Sequence, residues 1–192
     1  LEQAILRSSE VLYDVTNGQM ALGDVTIHQA KVGWETADAV IFAANNVHPR
    51  ASMGGVVDRP TADEILISVP ADPTSEAKKY DFERAFLPGQ IRMGPSWDPF
   101  GKGQTELNDD WWNAFAHEFG HYFLYLPDNY LGIRDGLLAS EDCVGSFMTT
   151  AYDSSYTEFL TEEQWPDPDR RCTHTLAQSL TGRSDWKTVE KF

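Results

Sequence analysis

The sequence predicts an α+β domain, with a twisted mixed sheet and two helices in an upper lobe over residues 1–126 and an irregular lower lobe over 127–192. Three observations predict it. Short runs rich in β-branched residues, bounded by Gly, Pro, Asn or Asp, occupy the first half of the chain. A stripe of apolar residues three and four apart follows, closed by Pro127. Beyond that point the chain is turn-rich with little periodicity. At 192 residues and 41% hydrophobic content, a single catalytic domain with one sizeable core is the expectation.

Ile5, Leu6, Leu12 and Val15 recur near helical spacing, which predicts an opening surface helix that ends at the Asn17-Gly18 turn. Strand-like runs follow at Val25 to Val32, Ala39 to Ala43 and Glu64 to Val69, and a short fourth at Gln90 to Met93; together they predict one sheet. The stretch from Trp97 to Thr105 reads as loop. Asn108, Asp109 and Asp110 then supply capping oxygens and charges that complement a helix dipole. The helix they open carries Trp112, Phe115, Ala116, Phe119, Tyr122, Phe123 and Leu126 along the face expected to enter the core. Weak helical patterning returns around Leu176 to Leu180.

Thirty Asp plus Glu against 15 Lys plus Arg give a formal net charge of −15, which repels nucleic acid and anionic membranes. No apolar run approaches the ~20 residues that cross a bilayer. Carboxylates in this number are compatible with bound Ca2+, although no specific calcium motif is present. Cys143 and Cys172 fit one disulfide in an oxidising compartment, worth roughly 3 to 4 kcal/mol for a loop of that length. Two buried free thiols are the alternative. The absence of a C-x-x-C pair argues against a thiolate zinc site. The start at Leu1 rather than Met leads us to expect a mature enzyme or a piece of a larger precursor.

The chemistry is concentrated in His117-Glu118-Phe119-Gly120-His121. Residues four apart on a helix lie only about 40° apart around its axis, so both imidazoles can bind one tetrahedral Zn2+. Glu118, beside the first ligand, can take a proton from water at the open position of the metal, which is machinery for peptide hydrolysis. Shuffling a chain of this composition would yield the pattern about 0.007 times, so chance explains it poorly. Catalytic zinc keeps three protein ligands, and the nearest third candidate is Asp128, folded back by a turn at Leu126-Pro127.

The run His117 to Tyr130, HEFGHYFLYLPDNY, resembles the site of the metzincin-like proteases of the calcium-activated chloride channel regulator family and their bacterial relatives, with the pattern H-E-x-x-H-x-x-x-G-x-x-D-E-Y. The resemblance implies that Asp128 is the third ligand. It also implies a metzincin-like fold, in which the segment Cys143-Val144-Gly145-Ser146-Phe147-Met148-Thr149 forms a Met-turn and Met148 supports the metal from below. Tyr152 or Tyr156 would donate to the tetrahedral oxyanion, as a tyrosine near this turn does in some metzincins. Weaker similarity continues through 156–159, 172–174 and 186–189. Two positions depart from the pattern. Tyr125 stands where the family has Gly, and since a side chain at φ > 0 costs roughly 1 to 2 kcal/mol, we expect another turn geometry there. Asn129 replaces a Glu and changes the support around the ligands.

Should Asp128 not ligate, the fallbacks are Asp135, Glu141, Asp142 and His174. His28 and His48 read as structural or exposed, and Trp97, Trp111 and Trp112 as core or cleft lining. The expectation is a secreted or extracellular, monomeric zinc endopeptidase acting on a peptide or protein substrate, with self-processing inside a larger secreted protein implied by the resemblance alone. The competing readings are a catalytically silent zinc-stabilised interaction module and a zinc hydrolase of a non-peptide amide.

Overall fold

In the computed structural model, which describes residues 1–42, 47–60, 82–87, 89–99 and 107–191, two helices pack against each other and one of them lies across a small mixed sheet. Helix α1 (Glu2–Val15) buries Ala4, Ser8, Leu12 and Val15. The expected stripe is therefore displaced, since Leu6 is 61% exposed and Ala4 and Ser8 take the inner positions. The Ser8 hydroxyl can sit there because it donates to the Ala4 carbonyl at 3.0 Å. Asn17 and Gly18, both at positive φ, turn the chain as anticipated.

No strand forms over 25–32. Val25, Ile27 and Val32 are exposed, and residues 30–36 are turns with Ala30, Lys31 and Gly33 at positive φ. β-propensity reflects fit to a pleated, half-buried surface, and among the described residues no strand pairs with this run. Strands β1 (Ala39–Ile41), β2 (Arg50–Ser52) and β5 (Gln90–Met93) make a three-stranded sheet in the order β1-β5-β2. β5 is parallel to β1 and antiparallel to β2, so the sheet is mixed. Ala43 and the run Glu64 to Val69 lie outside the described residues. Strands β3 (Gly55–Pro60) and β4 (Phe82–Leu87) form a separate antiparallel ladder. Thus the single sheet expected from the sequence is divided into several small ones.

Helix α2 (Asp109–Leu124) begins where its capping chemistry predicts: Asn108 Oδ1 accepts from Trp111 N at 3.2 Å, with Asp109 and Asp110 in the first turn. Trp111, rather than its neighbour Trp112, is fully enclosed; its indole donates to the Gly94 carbonyl at 2.9 Å and its ring stacks on Phe115. Phe123, expected on the inner face, is 62% exposed. Two clusters meet along α2. One joins Ala4, Ile91, Met93, Trp111, Ala114 and Phe115 beneath the sheet. The other joins Leu12 and Val15 to Ala116, Leu126, Phe147, Met148 and Phe159.

After α2 the chain is less irregular than expected. Strands β6 (Leu131–Arg134) and β7 (Leu137–Ser140) form a hairpin around Asp135-Gly136, both at positive φ, the conformation for which Asp-Gly is selected. Helices α3 (Leu176–Thr181) and α4 (Asp185–Val189) follow a short 3-10 turn at Cys172–His174. Cys143 and Cys172 are disulfide-bonded inside a cluster with Leu160, Trp165 and Ala177, so the free-thiol alternative is set aside.

Candidate metal centre

His117 and His121 occupy successive turns of α2, and their Nε2 atoms approach to 3.2 Å. Asp128 Oδ1 faces both, 3.1 Å from His121 Nε2 and 3.5 Å from His117 Nε2. These three side chains could hold a metal ion, and they are the group of that kind found among the described residues. The opposite nitrogen of each ring is anchored to the backbone: His117 Nδ1 lies 3.2 Å from the Phe147 carbonyl and His121 Nδ1 2.5 Å from the Leu126 carbonyl. A carbonyl can only accept, so each Nδ1 carries the proton and each Nε2 turns its lone pair inward. With both rings neutral in that tautomer, Asp128 Oδ1, sealed from solvent, faces the Nε2 lone pairs and receives no proton from them. A buried acceptor left in that condition is costly, and a cation is what would satisfy it together with two imidazole lone pairs.

The route to Asp128 corrects the expectation drawn from Tyr125. Tyr125 does take the left-handed conformation (φ 57°, ψ 25°) in which the resembled motif carries Gly. The cost of about 1–2 kcal/mol is offset by the next residue, because Leu126 is completely buried and its enclosure contributes roughly 1.5–3 kcal/mol. The Gly120 carbonyl accepts from Tyr125 N and Leu126 N, which closes the helix before Pro127.

Met148 is fully buried beneath the turn of α2 between His117 and His121. A Cβ built on Gly120 would stand 2.9 Å from Met148 Sδ and 3.4 Å from its Cε. Gly120 is thus the clearance through which the thioether approaches the helix between the two histidines, a role not drawn from the sequence. Asn129 N donates to the Met148 carbonyl at 3.0 Å, joining the segment that carries Asp128 to this turn. The Asn129 side chain is likewise buried and donates to Ser146 Oγ at 2.9 Å and Asp185 Oδ1 at 2.8 Å.

Glu118 is buried at the edge of the group. Burial raises its pKa, the two histidines pull it down, Asp128 pushes it up, and a hydrogen bond from the Ala51 backbone of β2 pulls it down again, leaving it above the ordinary value. Burial also disfavours the Asp128 anion, yet hydrogen bonds and charge from His117 and His121 hold that carboxyl well below the usual range. For His121 burial works against the charged form, but the Asp128 hydrogen bond and charge, with the Leu126 carbonyl and Glu118, carry the pKa above the ordinary histidine value.

The tyrosines divide. Tyr152 accepts from the Trp97 indole at 2.6 Å and feels the charge of Glu118, while burial pushes its hydroxyl up to about 12. The Tyr156 hydroxyl is engaged elsewhere, donating to Asp142 Oδ1 at 2.8 Å. Tyr130 was not singled out from the sequence, but burial, followed by the charge and hydrogen bond of Asp128, pushes its hydroxyl up. The fallback ligands stay apart: Glu141 pairs with Arg171 and Arg134, Asp142 with Tyr156, Asp135 lies in the hairpin turn, and His174 is exposed. His28 is exposed, and His48 packs edge-on against Trp97 at 5.0 Å.

Comparisons with protein-family models, curated proteins and solved structures found no match to this chain.

Proposed function

We propose that the chain is a zinc-dependent endopeptidase of metzincin-like architecture, with His117, His121 and Asp128 as ligands and Glu118 as general base. The observation that carries the reading is the triangle of donor atoms with edges of 3.1, 3.2 and 3.5 Å beside a buried carboxylate. Three ligands about 2.0–2.1 Å from a tetrahedral ion stand about 3.3 Å apart, so the group fits zinc, and two imidazoles with one carboxylate match its catalytic ligand sets. Calcium, which takes six to eight oxygens, fits this donor set poorly.

When bound, zinc supplies Lewis acidity to a water and to the scissile carbonyl. The protein does the remainder. The Phe147 and Leu126 carbonyls keep both rings in the ligating tautomer. Glu118 accepts the proton of the attacking water and returns it to the leaving amine, and its burial-raised pKa makes it a stronger base for the first step. Tyr152, protonated at neutral pH and accepting its hydrogen bond from Trp97, keeps its own O–H to donate to the developing oxyanion. An extended substrate adds along β2, an edge of the three-stranded sheet that reaches Glu118 through Ala51. In this reading 1–126 form the upper lobe, 127–192 the lower, and the disulfide suits secretion.

The test is cleavage of a quenched fluorescent peptide library by the zinc-loaded protein. Glu118→Gln should retain zinc and lose about 10²–10⁴-fold in kcat. Cleavage by that variant at the unaltered rate overturns the mechanism. Tight zinc binding with inertness of the unmodified protein would instead favour the interaction module or the non-peptide hydrolase.

A further inference from the structure

A buried carboxylate that takes no part in this chemistry lies behind the metal centre. Asp185, in the first turn of α4, is almost wholly enclosed. Its Oδ1 accepts from Asn129 Nδ2 at 2.8 Å, and its Oδ2 accepts from Ser146 Oγ at 2.8 Å and Leu160 N at 3.0 Å. Burial raises its pKa, and these three donors pull it part of the way back down by favouring the ionised form. The Asn129 amide divides its two protons between Asp185 and Ser146. Ser146 uses its full capacity, donating to Asp185 while accepting from Asn129 and, at 3.2 Å, from Met148 N. One side chain, 56 residues from Asn129 in sequence, is therefore bonded both to the residue following the third ligand and to the turn that carries Met148 under the histidines.

We infer that Asp185 is a positioning residue for the metal centre: through Asn129 and Ser146 it fixes Asp128 and the Met148 turn in register with His117 and His121, without touching the ion. The inference rests on the metal-centre reading above. Asn129 follows Asp128 directly, so a shift of its buried amide is transmitted across a single peptide unit to the ligand. The pairing also explains the amide at 129 where the resembled motif has Glu, because a second carboxylate would set acceptor against acceptor beside Asp185.

Zinc affinity of the full chain, measured by competition with a chromophoric chelator, tests this without reference to cleavage. Asp185→Asn keeps the size but converts one acceptor into a donor that faces another donor. Partners that orient metal ligands typically account for 10–100-fold in affinity, so a loss of at least tenfold is expected. The exchange Asn129→Asp with Asp185→Asn rebuilds an amide–carboxylate pair in reverse order and should recover most of that loss. Metal-free unfolding temperatures are recorded alongside. Variants whose unfolding temperature drops while zinc affinity equals that of the unmodified protein would show a purely structural role and overturn the inference. If Asp185→Asn alone does not fold, the double exchange decides: affinity within about threefold of the unmodified protein supports the inference, and tenfold loss or failure to fold overturns it. Failure of the underlying reading has a different signature, since the unmodified protein would then bind no zinc.

Discussion

His117 and His121 reach the candidate metal centre through the periodicity of one helix, whereas Asp128 reaches it through a left-handed tyrosine, a proline and bonds to residues far along the chain. Intrahelical spacing puts the two imidazoles on one side of α2, and the Phe147 and Leu126 carbonyls orient the rings so that their Nε2 atoms lie 3.2 Å apart. The Asp128 side needs Leu126 buried, Asn129 bonded to Met148, Ser146 and Asp185, and Met148 seated against Gly120. The helical half owes its facing to local spacing; the other half exists only once the chain has folded around it. At the donor atoms themselves, the halves meet without a metal in the contact between His121 and Asp128, at 3.1 Å.

That contact gives the largest effect by which the comparison can be broken. His121 must be neutral to ligate, and its pKa is raised in the metal-free protein, so proton and metal compete for Nε2 from above the ordinary histidine value of 6.5 downward. Zinc affinity should be full above the raised pKa and fall by about tenfold for each pH unit below it. The metal-free fold should show the opposite trend. The raised His121 pKa contributes stability that is fully present below 6.5 and lost as pH rises through the folded value. The lowered Asp128 pKa contributes stability present above 3.8 and lost as pH falls below it. Metal-free stability therefore peaks between those limits. Calorimetry of zinc binding from pH 4 to 8 and thermal unfolding from pH 2 to 8 would check both trends, and a pH-independent affinity would show that the two halves are not joined through His121.

The same division explains what was legible in the sequence. The cap at Asn108, the span of α2 and the facing of His117 and His121 follow from local rules, and the structure has them as read. Asp128 was legible as the nearest candidate beyond the Leu126-Pro127 turn and through resemblance to a motif, Met148 through the resemblance alone, because no helical spacing brings either under the helix. Val25 to Val32 misled because β-branched composition cannot report whether a partner strand exists. The β6–β7 hairpin was missed although Asp135-Gly136 between apolar runs is a strong turn signal. Asn129 was noted as a departure, but its bond to Asp185 depends on a side chain distant in sequence and could not be read.

Gly120 sharpens the comparison at the point where the halves touch. Gly120→Ala adds a methyl 2.9 Å from Met148 Sδ, and such overpacking costs typically 1–3 kcal/mol. A thioether is adaptable, so the lower part of that range is expected on thermal unfolding, with the helix itself unharmed because alanine favours it. Met148→Ala in the same chain should remove the additional penalty of the Gly120 substitution, as a double-mutant cycle would show. Additivity of the two changes would mean that the turn does not press on the helix.

The smallest effect belongs to Tyr125, where the halves are joined covalently. Relief of the left-handed strain in Tyr125→Gly would stabilise by about 1–2 kcal/mol, while the extra freedom of glycine in the unfolded chain costs about 0.5–1 kcal/mol. A net gain of at most about 1.5 kcal/mol is expected, read as a small rise in the denaturant midpoint at constant slope. Zinc affinity should hardly change, since the backbone already has the conformation that glycine prefers and Leu126 remains the anchor. A loss of stability would mean that the partly exposed Tyr125 ring contributes more than its backbone costs, and the join between helix and third ligand would then be held by that side chain rather than by the burial of Leu126.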